Sequence, residues 1–509
     1  MTLPKLGRAL IENGHPFPPE LHVDREHLKR ERPARVLQFG EGNFLRGFVD
    51  WMIDHLNRDG LFDGGVTIVQ PIEQGMVGRI NAQDGLYTLV LRGMREGRVV
   101  EQKELIGAVR GGIDPYTNYD AFLAAGRDPE LRFVVSNTTE AGIAFDPSDR
   151  ATDRPAASFP GKLTALLHER WRHFGGDPAR GLVIIPCELI ERNGDNLRRC
   201  VLRTAEAWEL EPAFRAWVED ANVFTNTLVD RIVTGYPREE APQIEAELGY
   251  RDDLLDTGEI FHAWVIEGPA ELADELPFSR AGLNVVWTDD VTPYRDRKVR
   301  ILNGAHTMMV LAAYLAGKDT VKECMDDPAI SDYLRHGLYD EIIPTLDLPR
   351  ADLESFAAAV LERFANPFVR HELLSISLNS TSKFKARVLP SVEEYLKRRG
   401  EPPRRLSFSL AALIAFYRGT EIRDGALVGH RGSQEYPIRD DAPVLEFFRG
   451  VWSDYDRSED AGRVATAVLA RASLWGQDLT ALPGGFAELV AADLRKILDS
   501  GAEAAMAAL

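Results

Sequence analysis

Cysteine is scarce in this chain. Cys187, Cys200 and Cys324 are the only three in 509 residues. An odd, scattered set is not a disulfide framework, and no CxxC pair suggests zinc. The pattern suits a reducing, cytoplasmic compartment. Long apolar runs are missing as well. The greasiest stretches, LAALIAFY and MMVLAAYLAG, fall far short of the roughly 18 residues that a membrane-spanning helix needs. The opening residues, MTLPKLGRALIENGHP, carry no apolar signal core, and a soluble protein is expected. Positive charge is in deficit: 60 Lys and Arg stand against 79 Asp and Glu, for a formal charge of −19. That balance disfavours nucleic acid and anionic membranes as partners. It leaves room for an anionic small molecule, because one local basic pocket would suffice. Oligomeric state is not legible.

Apolar residues are present in quantity, at 44% of the chain, enough for large cores. The length suggests about three units as a loose prior, and fewer where α/β domains are involved. The first half alternates apolar, β-branched runs with helical patterns. RVLQFG (35–40), GVTIVQP (65–71), LYTLVLRG (86–93), RFVVSN (132–137) and GLVIIPCEL (181–189) read as strands. Alternation with helices predicts a parallel sheet covered on both faces. After NVVWTDD (284–290) helical patterns dominate, at 348–364, 404–419 and from Gly485 onward. The expected division is 1–290 and 291–509. The polar, glycine-bearing stretch 418–441 reads as a loop or mobile flap.

QFGEGNFLRGF (38–48) joins the first strand to the first helix. Gly40 and Gly42 would provide a tight turn and let the backbone approach a pyrophosphate resting on the helix N-terminus. The helix that follows shows a clear period, with Phe44, Leu45, Phe48, Val49, Met52, Ile53 and Leu56 on one face and Arg46, Asp50, Asp54 and Asn57 on the other. A bare GxG also fits a plain strand-to-helix turn. Its place at the head of an alternating half favours dinucleotide binding. Where the second strand ends, an acid would grip a ribose; Gln70 stands there, with Glu73 nearby. SNTTEAG (136–142) puts Asn137 at the end of another strand, which suits a ligand crevice. A helix cap by Thr138 or Thr139 fits the same residues.

In DRKVRILNGAH (296–306), Lys298, Asn303 and His306 precede a very apolar stretch. Asn303 and His306, three apart, would share a helix face. Lys298 is five residues before Asn303, about 140° away on an ideal α-helix. As a set they could move a proton at a carbonyl, Lys298 as acid or base and the other two as donors to the oxygen. Arg295, Arg297 and Arg300 could lower the lysine pKa. On spacing alone, a solvated basic run ahead of a core helix is the better account.

Longer blocks shift that balance. QFGEGNFLR, QDGLYT, SNTTEAGI, IIPCELI, LVDRIVTGYP, RKVRILNGAH and ALIAFYRG, in that order, resemble the mannitol dehydrogenase family of polyol-specific long-chain dehydrogenases over nearly the whole chain. The resemblance implies an α/β protein: an N-terminal Rossmann-type dinucleotide-binding domain followed by a mainly α-helical C-terminal domain. It implies NAD as cofactor, contacts from Gly40, Gly42, Asn43, Phe44, Gln70 and Asn137, and no metal. The family's catalytic K…N…H pattern falls on Lys298, Asn303 and His306. Asp230 looks like its acid near the substrate; a surface pair with Arg231 is the alternative. Two departures matter. Polyol-oxidising members carry Asp-Asn where this chain has Glu188-Leu189, and an arginine where it has Ser375. Both imply a sugar acid as the small-molecule substrate rather than a polyol. Its carboxylate needs a cation, and Lys383 has the best claim over Lys385, Arg387 and Arg370.

Overall fold

The computed structural model describes residues 3–139, 141–458 and 460–509, so Glu140 of the SNTTEAG stretch lies outside the described residues. The chain forms two compact units, one of Met1–Gly93 and Val99–Val291, the other of Met94–Arg98 and Thr292–Leu509.

The first unit is built on six parallel strands: β1 (Ala34–Phe39), β2 (Gly65–Val69), β3 (Val109–Ile113), β4 (Phe133–Ser136), β5 (Val183–Pro186) and β6 (Val223–Phe224). Their order is β3-β2-β1-β4-β5-β6, the doubly wound order of dinucleotide-binding folds. Alternation along each strand feeds two cores. Val36, Ile68, Phe133, Val135 and Ile185 pack on the face that holds the 43–58 helix. Leu37, Phe39, Val69, Val134 and Ile184 pack on the face covered by the helices Phe159–His173 and Asn193–Ala207. Two buried faces account for the near-continuous apolar runs of these strands.

One expected strand belongs elsewhere. Tyr87–Arg95 forms a hairpin with Arg98–Ile106 inside a separate four-stranded sheet that also contains Leu21–His22 and Asp256–Glu259. Its two-residue turn, Glu96-Gly97, has positive φ at both positions (54° and 72°), the geometry that matches strand twist in tight hairpins.

The face of the 43–58 helix read as polar is also buried. Arg46, Asp50, Asp54 and Asn57 are each less than 5% exposed. Arg46 donates to the Leu254 carbonyl, and Asp54 accepts from His27 and the Gly107 amide. A π-turn over Arg46–Asp50 widens the helix at this point. Each buried polar group is matched to a partner from another element, which periodicity cannot reveal.

The second unit is organised around one continuous helical run: Thr292–Arg297, a π-helical turn over Lys298–Asn303, and Gly304–Leu315. Gly304–Leu315 is apolar and buried nearly all round, as befits a central helix. Helices Arg404–Phe416, Ser380–Arg387 and Ala502–Ala507 surround it.

Residues 418–441 are not a flap. They form three short antiparallel strands, Ile422–Arg423, Ala426–Arg431 and Gln434–Ile438. Asp424-Gly425 makes the first turn with φ of 51° and 76°. Leu427, Tyr436 and Ile438 are buried, and Tyr436 sits edge-on to Tyr314 of the central helix at 5.0 Å. Ala426 and Val428 are buried as well, so two short apolar clusters anchor a segment that is otherwise mostly polar.

Candidate active site

The C-terminal edge of the parallel sheet gathers the residues expected to meet a cofactor. Strand order reverses between β1 and β4, the place where open α/β sheets bind ligands. Gly40 ends β1 with φ 126°, and a Cβ there would lie 3.0 Å from the Asn137 carbonyl oxygen at the end of β4. Only glycine fits this approach. Gly42 differs: its φ is −68°, and a Cβ would meet nothing within 4 Å. The first glycine is therefore required by the protein, while the second leaves space open at the N-terminus of the helix. Gln38 ties the turn down, donating to the Gly40 carbonyl (3.1 Å) and to Asp50 (3.2 Å). Asn43 accepts from Arg46 at 2.7 Å, and Phe44 stacks on Phe48 at 5.0 Å. A cavity of about 510 Å³ opens beside this helix start, lined among others by Asn43, Arg46, Arg79, Tyr236 and Arg238.

At the end of β2, Gln70 donates to the Glu73 carbonyl. Glu41, not singled out in the sequence, folds toward it: its carboxylate accepts from the Met76 amide at 2.7 Å, and a Cβ on Gly75 would strike both Glu41 and Gln70. Burial raises the Glu41 pKa. Asn137 donates to the Cys187 carbonyl at 2.8 Å. Among the described residues no helix starts at Thr138 or Thr139, and the next one starts at Phe159, capped by Ser158. Thr138 instead donates through its amide and hydroxyl to Glu188, which also accepts from Ser136, each at 3.0 Å. This locks the ends of β4 and β5 together. Burial raises the Glu188 pKa against those hydrogen bonds. Leu189 beside it is 61% exposed.

Asp230 ends the strand Asn226–Asp230 and is buried. Arg231 is not on the surface: it is buried over the Trp51 ring and donates to the Gly47 and Glu259 carbonyls. Burial lowers its pKa to about 9.

In the second unit, the π-turn changes the geometry expected of the Lys–Asn–His set. A π-turn bonds residues five apart, so Lys298 and Asn303 stand one turn above each other instead of about 140° apart. His306 follows three residues later on the same face. The Asn303 side chain makes no hydrogen bond among the described residues. His306 stacks on Phe364 at 4.1 Å, meets His371 edge-on at 5.2 Å, and has a buried Nε2 with no partner. Burial first, then the positive fields of His371, Arg363, Arg387 and Lys383, hold its pKa well below the ordinary histidine value. The imidazole is therefore neutral at neutral pH. Arg300 and Arg297 are turned to other work: Arg300 to Ser391 and Thr345, Arg297 onto the rings of Phe356 and Tyr294. Lys383 donates to the Ile376 carbonyl at 2.8 Å, and burial lowers its pKa. Among the described residues no group of three or more His, Cys, Asp or Glu has a metal-binding arrangement. Among the described residues no helix is long and apolar enough to cross a membrane.

A doubly wound nucleotide-binding unit joined to a helical unit bearing lysine, amide and neutral imidazole on one helix is the build of a nicotinamide-dependent dehydrogenase. The chain belongs to the mannitol dehydrogenase family. Residues 34–280 match the mannitol dehydrogenase Rossmann domain and residues 290–498 the mannitol dehydrogenase C-terminal domain. It is an oxidoreductase acting on CH–OH groups. A protein of Yersinia enterocolitica named altronate oxidoreductase is 49% identical over 486 residues, covering 95% of this chain and 98% of its own. One of Escherichia coli O6:K15:H31 with the same name is 50% identical over 479 residues, covering 94% and 97%. Two solved structures share the fold. A D-sorbitol dehydrogenase superposes with TM-score 0.79 at 22% identity, over 99% of this chain and 100% of that one. The Pseudomonas fluorescens mannitol 2-dehydrogenase, in complex with NAD and D-mannitol, gives 0.65 at 23%, over 99% and 98%.

Proposed function

We propose that this enzyme reduces D-tagaturonate reversibly to D-altronate with NADH, in hexuronate breakdown. The substrate is supported by the name of the relatives at about half identity over nearly full length. The chemistry rests on one observation above the rest: Asn303 and the buried Nε2 of His306, both uncommitted, follow Lys298 on a helix that the π-turn has brought into register.

The residues at the sheet edge fit a dinucleotide. The open space at Gly42 admits a pyrophosphate against the helix start, and Asn43, Phe44 and Asn137 flank it. The Glu41 carboxylate beside Gln70 disfavours a 2′-phosphate there, which supports NAD over NADP. The bound nicotinamide supplies the hydride in reduction and accepts it in oxidation. Lys298, as ammonium, gives a proton to the ketone oxygen as its carbon is reduced, and as amine takes it back in the reverse direction. Asn303 and neutral His306 donate hydrogen bonds to that oxygen, where negative charge builds up. A neutral imidazole does so without yielding a proton of its own. Asp230 and Lys383 contact the substrate.

The test is NADH consumption with tagaturonate and fructuronate side by side. Preference for tagaturonate is expected. Preference for fructuronate moves the product to mannonate and overturns the substrate assignment. Turnover of polyols with NAD, and of neither uronate with NADH, overturns the sugar-acid reading altogether.

A further inference from the structure

Among the described residues of the second unit, one half-buried arginine, Arg387, has no protein partner for its side chain. Other half-buried arginines of this unit are engaged: Arg404 with Asp493, Arg405 with Glu341, Arg431 with Asp319, Arg300 with two hydroxyls. Arg387, also half-buried, makes no hydrogen bond or ion pair among the described residues. It ends the helix Ser380–Arg387, four residues after Lys383 and on the same face. Its carbonyl lies 3.2 Å from where a Cβ on Gly304 would be, so this helix end packs directly against the residue between Asn303 and Ala305. The guanidinium lies close enough to His306 to bear on its charge.

Lys383 is placed differently. Its ammonium is bonded to the Ile376 carbonyl and feels the field of Asp440. Asp440 itself is taken by the hydroxyls of Tyr417 and Thr381. Lys385 is exposed, and Arg370 is exposed and paired with Glu372 at 2.6 Å. Nothing acidic offsets the burial that lowers the Arg387 pKa. Keeping a cation partly out of water without a counter-charge is costly, and in a chain of net charge −19 a carboxylate was readily available to evolution. A ligand carboxylate would supply that counter-charge. A planar guanidinium holds a carboxylate through two parallel hydrogen bonds, which an ammonium cannot do.

We infer that Arg387, rather than Lys383, holds the carboxylate of the sugar-acid substrate and so selects acids over neutral ketoses. This rests on the keto-uronate reading above, with Lys383 left to the substrate's hydroxyl side.

The experiment compares wild type, Arg387→Leu, Arg387→Lys and Lys383→Leu with tagaturonate and with the neutral ketose tagatose, after NADH binding and melting temperature have been recorded for each. For Arg387→Leu the expected result is a rise of at least ~30-fold in KM for tagaturonate, little change with tagatose, and unchanged NADH affinity. Arg387→Lys, which keeps the charge and loses the fork, should fall between. It also serves as the test if the leucine variant does not fold. A KM for tagaturonate within about twofold of wild type in both arginine variants overturns the proposal, as does a selective rise in Lys383→Leu alone. Failure of the keto-uronate reading shows separately, as wild-type enzyme that turns over neither uronate.

Discussion

Lys298 and Asn303 are the first and last residues of a single π-helical turn. Because such a turn closes between residues five apart, their side chains leave the helix on nearly the same side. Deleting Val299 should convert the turn to α-helix and swing Lys298 by about 100°. The expected outcome is a fall in kcat of at least ~100-fold, with helix content and NADH affinity kept. Near-normal kcat in a folded deletion variant would sink this assignment.

Gly40 and Gly42 should separate stability from cofactor binding. Gly40→Ala forces an unfavourable φ and a contact with the Asn137 carbonyl, at a cost of about 1–3 kcal/mol. Gly42→Ala has ordinary φ and free space, so stability should change by less than about 0.5 kcal/mol. Its methyl would intrude where a pyrophosphate needs bare backbone, and NADH should bind ~10-fold more weakly, or about 1.4 kcal/mol. Thermal melting and a fluorescence titration check both. Equal NADH affinity in Gly42→Ala and wild type would move the phosphates away from this turn.

Asp50 ties stability to pH. Burial raises its pKa to about 7, against the hydrogen bond from Gln38 and the field of Arg46. An unfolded chain has it near ~3.9. Between those values the folded state holds the extra proton. Stability from this group is full below about pH 4, declines as pH rises, and levels off above about 7. Asp256, raised to about 7 by burial, adds the same trend. Asp50→Asn stays neutral throughout, so its melting temperature should gain on wild type as pH rises from about 4 to about 8. A gap that stays constant or narrows would show that Asp50 is ionised in the folded state at all these pH values.

Much of the nucleotide-binding unit is legible in the sequence because its signals are local. Strands β1, β2, β4 and β5 are apolar runs bounded by turn residues, and the helix after Gly42 has a strong period. The hairpin strand at 87–95 looks the same as those strands, since composition does not say which sheet a buried strand joins. The sheet at 418–441 reads as a loop because its buried residues form two short clusters, 426–428 and 436–438, set among polar and glycine residues. Arg387 is indistinguishable in sequence from its basic neighbours. What sets it apart is the absence of an acid around it, and that depends on every element packed nearby.

The sequence by itself determined four strands of the parallel sheet, the helix after Gly42 and the glycine turn at 40–42, because each follows from residues close together in the chain; Lys298, Asn303 and His306 stand out only through the resemblance over long blocks. The tertiary structure alone decided that Arg46, Asp50 and Asp54 are buried with partners, that His306 is neutral, and that Lys298 and Asn303 share one side of their helix. Those properties come from desolvation, from charges on distant segments and from a helical turn of unusual width. No local pattern encodes them.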